Sequence, residues 1–386
     1  MIDTNDFDAI RPYRDHEVQQ AIQELLESKY LNEALHFFFP NQNKEEITSF
    51  AGSIKDIHNF QGKVIVPFLD NMLKSQIKDF TQDGLQETRP NQPGLYISNH
   101  RDIILDSGLM NYAFFRSGYP TTEIAIGSNL LQNPDVRRLA RLNKSFVVNR
   151  DVSPKEMYFV SQRLSNYIHH QIEEENQSVW IAQREGRAKD GNDFTQTGLL
   201  KMLLMGGAKD PKEAIRNMNI KPFAISYEFD PCDALKAQEH YNKSMNPDHQ
   251  KGPLDDIISM QTGLVEYKGN VHIGFTEGLN KHLGALDDIS NRNDYIFAVA
   301  KLIDTLIHYH YKLWPSNYIC ADLLNENDHY ADHYTQDNKD QFIAYIENKI
   351  LKINGHVEAY MPYILRMYTN PLTNHLHAKK VLEQKG

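Results

Sequence analysis

Between residues 94 and 227, short apolar runs alternate with longer amphipathic stretches, and this alternation constrains the fold more than any other feature of the chain. The runs cover residues 94–98, 122–126, 145–148, 178–182 and 221–227, with 270–274 as a further candidate. Strands joined by helical crossovers lie parallel and need helices on both faces of the sheet. The expected fold class is therefore α/β, with a mainly parallel sheet covered by helices, and ligands are expected outside the carboxyl ends of its strands.

On either side the pattern turns helical. Apolar residues recur at helical spacing from residue 17 to about 80: Ile22, Leu25, Leu26, Tyr30, Leu31 and Leu35, then Ile65, Phe68, Leu69, Met72 and Leu73, with Pro40 as a break. A polar, proline-containing stretch at 82–93 separates this part from the alternating one. Beyond about Glu277, helical patterns return at 296–314, 340–353 and 357–367. The expected organisation is a helical N-terminal domain over 1–85, an α/β domain over 86–276 and a mostly helical region over 277–386.

Composition excludes some functions. The 386 residues carry a formal charge of -10, which argues against general nucleic-acid binding, since counterion release needs many Lys and Arg facing a phosphate backbone. Cys232 and Cys320 are the only cysteines, as expected of a reducing, cytoplasmic compartment. The start, MIDTNDFDAIRPYRDHE, is acidic where a secretory signal needs a basic start and an apolar stretch. No apolar segment approaches the roughly 20 residues that span a bilayer, so contact with a lipid surface would be peripheral.

The first run, GLYISNH, brings His100 to a strand's carboxyl end, and Arg101-Asp102-Ile103-Ile104-Leu105-Asp106 then reads as the start of a helix. A histidine at that address can serve as general base. A carboxylate one to two helical turns later can hold its other ring nitrogen and favour the imidazolium. Asp106, six residues on, meets this spacing, and Asp102, two residues on, is the alternative partner. Asp106, flanked by Ile103, Ile104 and Leu105, has the stronger need of a partner, whereas a helix cap explains Asp102.

Four blocks in order carry a family resemblance. Ser98-Asn99-His100-Arg101 followed by Asp106 is the first; Gly127-Ser-Asn-Leu130, Arg137-Arg138 and Lys144-Ser-Phe-Val-Val-Asn-Arg150 together are the second. Arg184-Glu185-Gly186-Arg187 with Lys189 and Gly191 is the third, and Lys221-Pro222-Phe-Ala-Ile-Ser-Tyr227 the fourth. Together they resemble the glycerol-3-phosphate and lysophosphatidic acid acyltransferases, most of all the bacterial glycerol-3-phosphate acyltransferases. Two spacings differ from the family. Five residues instead of four separate His100 from Asp106, and none instead of one separates Gly186 from Arg187. The second difference leaves open which of Glu185 and Arg187 takes its family position.

The resemblance implies an O-acyltransferase of phospholipid synthesis, with His100 and Asp106 catalytic and Asn99, Arg101, Arg150, Glu185, Gly186, Arg187 and Lys189 binding substrate. The implied donor is acyl-CoA or acyl carrier protein, and the implied acceptor is glycerol-3-phosphate or its 1-acyl derivative. No cofactor or metal is expected, and no G-x-S-x-G elbow suggests an acyl-enzyme. An amine or other lipid precursor as acceptor, or a lipid-binding protein without chemistry, are the alternatives. Arg137, Arg138, Arg141 and Lys144 form a basic run that either lies on a solvated helix face or docks the donor. His329, Asp332 and His333 read as loop residues, not metal ligands.

Overall fold

The computed structural model describes residues 4–28, 44–150, 152–252 and 254–384. Tyr30, Leu31, Leu35 and Pro40 of the N-terminal helical pattern lie outside these residues. The pattern on either side of them holds. Helix α1 (Val18–Leu26) buries Val18, Ala21, Ile22 and Leu25, while α2 (Lys44–Gly52) contributes Ala51 to the same cluster. Helix α3 (Ile57–Phe60) starts where the Asp56 carboxylate accepts from the Asn59 amide. It runs through a π-helical turn at Gln61–Ile65 into α4 (Val66–Gln76).

Seven strands form one sheet in the order β1-β7-β6-β2-β5-β3-β4: β1 (Asp79–Asp83), β2 (Leu95–Ser98), β3 (Glu123–Gly127), β4 (Ser145–Val148), β5 (Val179–Ala182), β6 (Lys221–Tyr227) and β7 (Asn270–Phe275). All neighbours are parallel except β6 and β7. Six of these strands coincide with the apolar runs. β1 does not, because DFTQD on a half-exposed edge has no apolar alternation; it pairs with β7 from within the stretch read as helical, so the sheet begins before residue 86.

Between the strands lie α5 (Leu105–Arg116), α6 (Pro134–Leu142), α7 (Pro154–Glu173), α8 (Thr197–Leu203), α9 (Pro211–Asn217), α10 (Asp233–Met245) and α11 (Asp255–Val265). The period of two along the strands divides the core. Leu95, Ile97, Val179 and Ile181 meet α7, α8 and α9 on one face, while Tyr96, Trp180, Phe223 and Ile225 meet α4 and α5 on the other. Each fully buried aliphatic of this kind contributes roughly 1.5–3 kcal/mol.

The C-terminal region comprises α12 (Arg292–His310), α13 (Pro315–Asn325), α14 (Gln336–Lys352) and α15 (Val357–Glu383). α12 is no appendage, since Val299, Ala300 and Ile303 join the core beneath the sheet. α15 reaches the loop after β5 by a local device. Pro371 has no N–H to offer the Met367 carbonyl, and Gly191 packs there at φ +73°, where a Cβ would lie 2.0 Å from that oxygen. Asn370 donates to the Asp190 carbonyl at 2.7 Å, completing the junction. Among the described residues, no helix is long and apolar enough to cross a membrane.

Candidate active site

β2 ends at Ser98 and the chain continues through Asn99 to His100, but α5 begins only at Leu105 and not directly after the histidine. The reason lies in the turn between them. Asp102 Oδ1 accepts from the amides of Ile104 and Leu105 at 2.9 and 2.8 Å and so closes the turn that leads into the helix, whose N-cap position is Ile104. Residues 101–104 are spent on that turn, and the extra residue between His100 and Asp106 is absorbed there. Asp106 thereby falls in the first turn of α5, fully buried, with Oδ2 2.9 Å from His100 Nδ1.

Asp106 is held from all sides. The amides of Arg101 and Asp102 donate to the same Oδ2 at 2.6 and 3.0 Å, and the Tyr227 hydroxyl donates to Oδ1 at 2.9 Å. Burial, with the Asp106 charge next to it, holds the Tyr227 phenol well above its ordinary range, so it stays a donor. An ionised carboxylate only accepts, so His100 carries its proton on Nδ1 and leaves Nε2 for a reacting group. The imidazole stands edge-on to Trp180, with centroids 6.0 Å apart. Asp102 has a different fate: burial and the Asp106 charge push its carboxyl up. Its Oδ2 has no partner and lies under α11, 2.1 Å from where a Cβ on Gly263 would sit.

His100 lines a cleft of about 880 Å³ along the carboxyl ends of β2, β5, β3 and β4. Its deeper walls are apolar, with Ile126, Val148, Leu164, Ile181, Leu199 and Met202, while Arg150, Arg184 and Glu185 stand among its polar lining. Arg150 lies across the end of β3: a Cβ on Gly127 would come within 2.9 Å of its Nε, and its amide is fixed by the Ser128 hydroxyl at 3.0 Å. Its guanidinium is 3.5 Å from the exposed Glu185 carboxylate. Gly186 follows at φ +67° and lines the cleft as well.

The other expected binding residues are employed elsewhere. Asn99 is fully buried, and its side-chain amide bridges both backbone groups of Ile225, stitching β2 to β6. Arg101 is buried on Asp193 at 2.8 Å. Arg187 is buried near Asp102 and Cys232, and Lys189, its amine pushed down to about 8 by burial, pairs with Glu239 at 3.4 Å. None of these four lines the cleft. In the basic run, Arg138 pairs with Glu24 and Asp135, Arg141 sits over Tyr13, and Lys144 donates to the Thr121 carbonyl.

Sequence reasoning gave no role to Trp180, to Arg184, which was quoted in the third block, or to the hydroxyl of Tyr227. Tyr227 ended the fourth block as quoted. Its alignment with Asp106 required the pairing of β6 beside β2, which no local pattern reveals. Burial pushes the Cys232 thiol up to about 11 and the Cys320 thiol well above its ordinary range, so neither is poised as a nucleophile. Among the described residues no three metal-type side chains cluster, and His333 stacks on Tyr318.

Comparison with known families finds a match within the core. Residues 79–220, somewhat over a third of the chain, match the acyltransferase family model. Over that segment the chain is similar to the acyltransferase domain. Its match begins with β1, the strand that sequence reading missed, and ends just before β6. The matched segment contains the His100–Asp106 pair and every cleft residue named above, while Tyr227 comes from the strand that follows. None of the curated proteins matches the chain by sequence. Among solved structures, the 1-acyl-sn-glycerophosphate (LPA) acyltransferase PlsC from Thermotoga maritima is similar at 14% identity. That match covers 74% of this chain and 92% of that one, with a TM-score of 0.35, too loose a superposition to bear on the reaction.

Proposed function

We propose that the protein transfers a fatty acyl group from a thioester, acyl-CoA or acyl carrier protein, to the hydroxyl of glycerol-3-phosphate or 1-acyl-glycerol-3-phosphate. The observation that carries this reading is a His100–Asp106 pair facing an apolar cleft with Arg150 at its polar end. His100 Nε2 takes the acceptor's hydroxyl proton as the oxygen attacks the thioester carbonyl. Asp106 stabilises the imidazolium that forms, and the same Nε2 returns the proton to the departing thiolate. No covalent acyl-enzyme is needed, in keeping with the two buried, raised thiols.

The apolar part of the cleft suits an acyl chain, and Arg150 suits the acceptor's anionic head. Met157, Tyr158 and Phe159 are exposed at the start of α7, with Met157 on the cleft wall; they support peripheral contact with the inner face of a bilayer from the cytoplasmic side. The test is a labelled acyl-CoA and acyl carrier protein assay with glycerol-3-phosphate, 1-acyl-glycerol-3-phosphate and small amines as acceptors. His100→Ala is expected to stay folded and lose about 10²–10⁴-fold in turnover. Near-normal turnover would sink the mechanism, and transfer to amines alone would replace the acceptor class.

A further inference from the structure

Asp106 rests on a peptide unit that is itself held from behind. The Asp102 amide donates to Asp106 Oδ2 at 3.0 Å, and the other end of the same trans peptide, the Arg101 carbonyl, accepts from Lys236 Nζ at 2.7 Å. The N–H and C=O of a trans peptide point in opposite directions, so the ammonium and the carboxylate lie at the two ends of one dipole. Each polarises that dipole in the sense that strengthens the bond at the other end.

Lys236 stands on α10, outside the four motif blocks and beyond the segment that matches the acyltransferase family. It does not line the cleft, and only 1% of its surface is exposed. Its second partner is the Asp230 carboxylate. Burial pushes that carboxyl up, but the Lys236 and Arg101 charges outweigh it and hold Asp230 below its ordinary range, so the pair is ionic. Removing an ammonium from water is costly, and apolar residues of similar volume often replace a buried pair without loss of stability. An ammonium that served only to neutralise Asp230 would also need no contact with the turn after His100. This one reaches the carbonyl whose own peptide supports Asp106. The other cations near that peptide are engaged elsewhere, with Arg101 on Asp193 and Arg187 enclosed beside Asp102 and Cys232.

We propose that Lys236 is a positioning residue for the reaction: through the Arg101–Asp102 peptide it fixes Asp106 against His100 and draws part of the carboxylate's charge away from the imidazole. This rests on the acyl-transfer reading above and adds to it a group from outside the acyltransferase-like segment. Lys236 touches no substrate and acts through Asp106. Without it, Asp106 is held less firmly and its full charge favours the imidazolium, the form that cannot take a proton.

Lys236→Met alone would leave the Asp230 charge buried and unpaired, a strongly destabilising change, so it is combined with Asp230→Asn to remove the pair as a whole. In the full chain, this double variant is expected to lower kcat about 5- to 50-fold, the range between losing a neutral and a charge-assisted hydrogen bond, with both KM values within about twofold. The acid limb of its kcat pH profile should move to higher pH by roughly half a unit. A second readout needs no turnover. In wild type labelled with ¹⁵N-aspartate, the Asp102 amide proton should resonate well downfield of ordinary amides, and in the double variant it should move upfield. A kcat within twofold of wild type, a loss confined to KM, or a fall in kcat with an unmoved pH profile would overturn the proposal. An Asp102 amide at an ordinary position in the wild type would overturn it without any variant. A downfield amide that moves as expected, in a protein that transfers to no acceptor, would uphold the link from Lys236 to Asp106 and overturn the acyl-transfer reading.

Discussion

Replacing Asp106 by asparagine tests the catalytic pair with little change in shape. The backbone amides of Arg101 and Asp102 both point at Oδ2, 2.6 and 3.0 Å away, and demand an acceptor there. The asparagine oxygen therefore takes the Oδ2 position and its NH₂ takes the Oδ1 position, where the Tyr227 hydroxyl can rotate to accept. His100 Nδ1 keeps an acceptor at about the same place, so its tautomer is retained, and what is lost is the negative charge facing the imidazolium. A hydrogen bond to a charged group contributes roughly 1.5–3 kcal/mol, so turnover should fall about 10- to 150-fold. That is well short of the roughly 10⁴-fold loss expected when the substitution also forces the wrong tautomer. Asp102→Asn is the matched control: its Oδ1 bonds to the turn amides survive, and the carboxylate that His100 Nδ1 bonds is Asp106, not Asp102, so turnover should stay within about threefold. The assay is single-turnover acyl transfer at saturating substrates, with a melting curve for each variant. Unchanged turnover in Asp106→Asn, or the larger loss in Asp102→Asn, would refute this account of the pair.

Tyr227→Phe leaves Asp106 Oδ1 without a donor in a buried site, so turnover should fall a few fold, with the pH–rate profile moving and the KM values holding. An unmoved pH profile would make Tyr227 merely structural. Gly263→Ala places a methyl 2.1 Å from Asp102 Oδ2, closer than any real contact, so the melting temperature should drop by several degrees or α11 should lift. A melting curve like wild type would refute the close packing of α11 on the site. Asp304, buried and accepting from Thr195, has its carboxyl raised from 3.8 to about 7 by burial. The folded state therefore holds this proton more tightly than the unfolded chain. The stability that this proton provides is full below about pH 4 and is lost as pH rises through 7. Asp304→Asn should thus stabilise the protein increasingly between pH 4 and 8, by an amount of order a few kcal/mol at most, as measured by urea unfolding. A pH-independent difference would contradict the assignment.

Much of this architecture was written in local pattern. Runs such as 145–148 and 221–227 were legible because strands buried on both faces must be continuously apolar, and they appear in the structure with those bounds. His100 was legible as functional because it stands just past the end of such a run. Asp106 could be favoured over Asp102 because a carboxylate among Ile103, Ile104 and Leu105 needs a partner. β1 was not legible, since this edge strand gives the core only Phe80 and its pairing with β7 depends on residues almost two hundred positions away.

The division of labour among the arginines lay wholly with tertiary structure. In the sequence, Arg101, Arg184 and Arg187 are equivalent basic residues in two motif blocks. In the fold, Arg101 turns to Asp193, Arg187 is enclosed behind Gly186, and Arg184 is left on the cleft wall. The direction of a side chain after a strand end depends on one left-handed glycine and on carboxylates supplied by distant helices and loops. Asn99 makes the same point, because its motif position suggested a ligand while its amide is consumed by β6. Local sequence determines which groups are present and which element ends near them; the long-range pairing of strands and buried charges determines which of those groups remain free to bind.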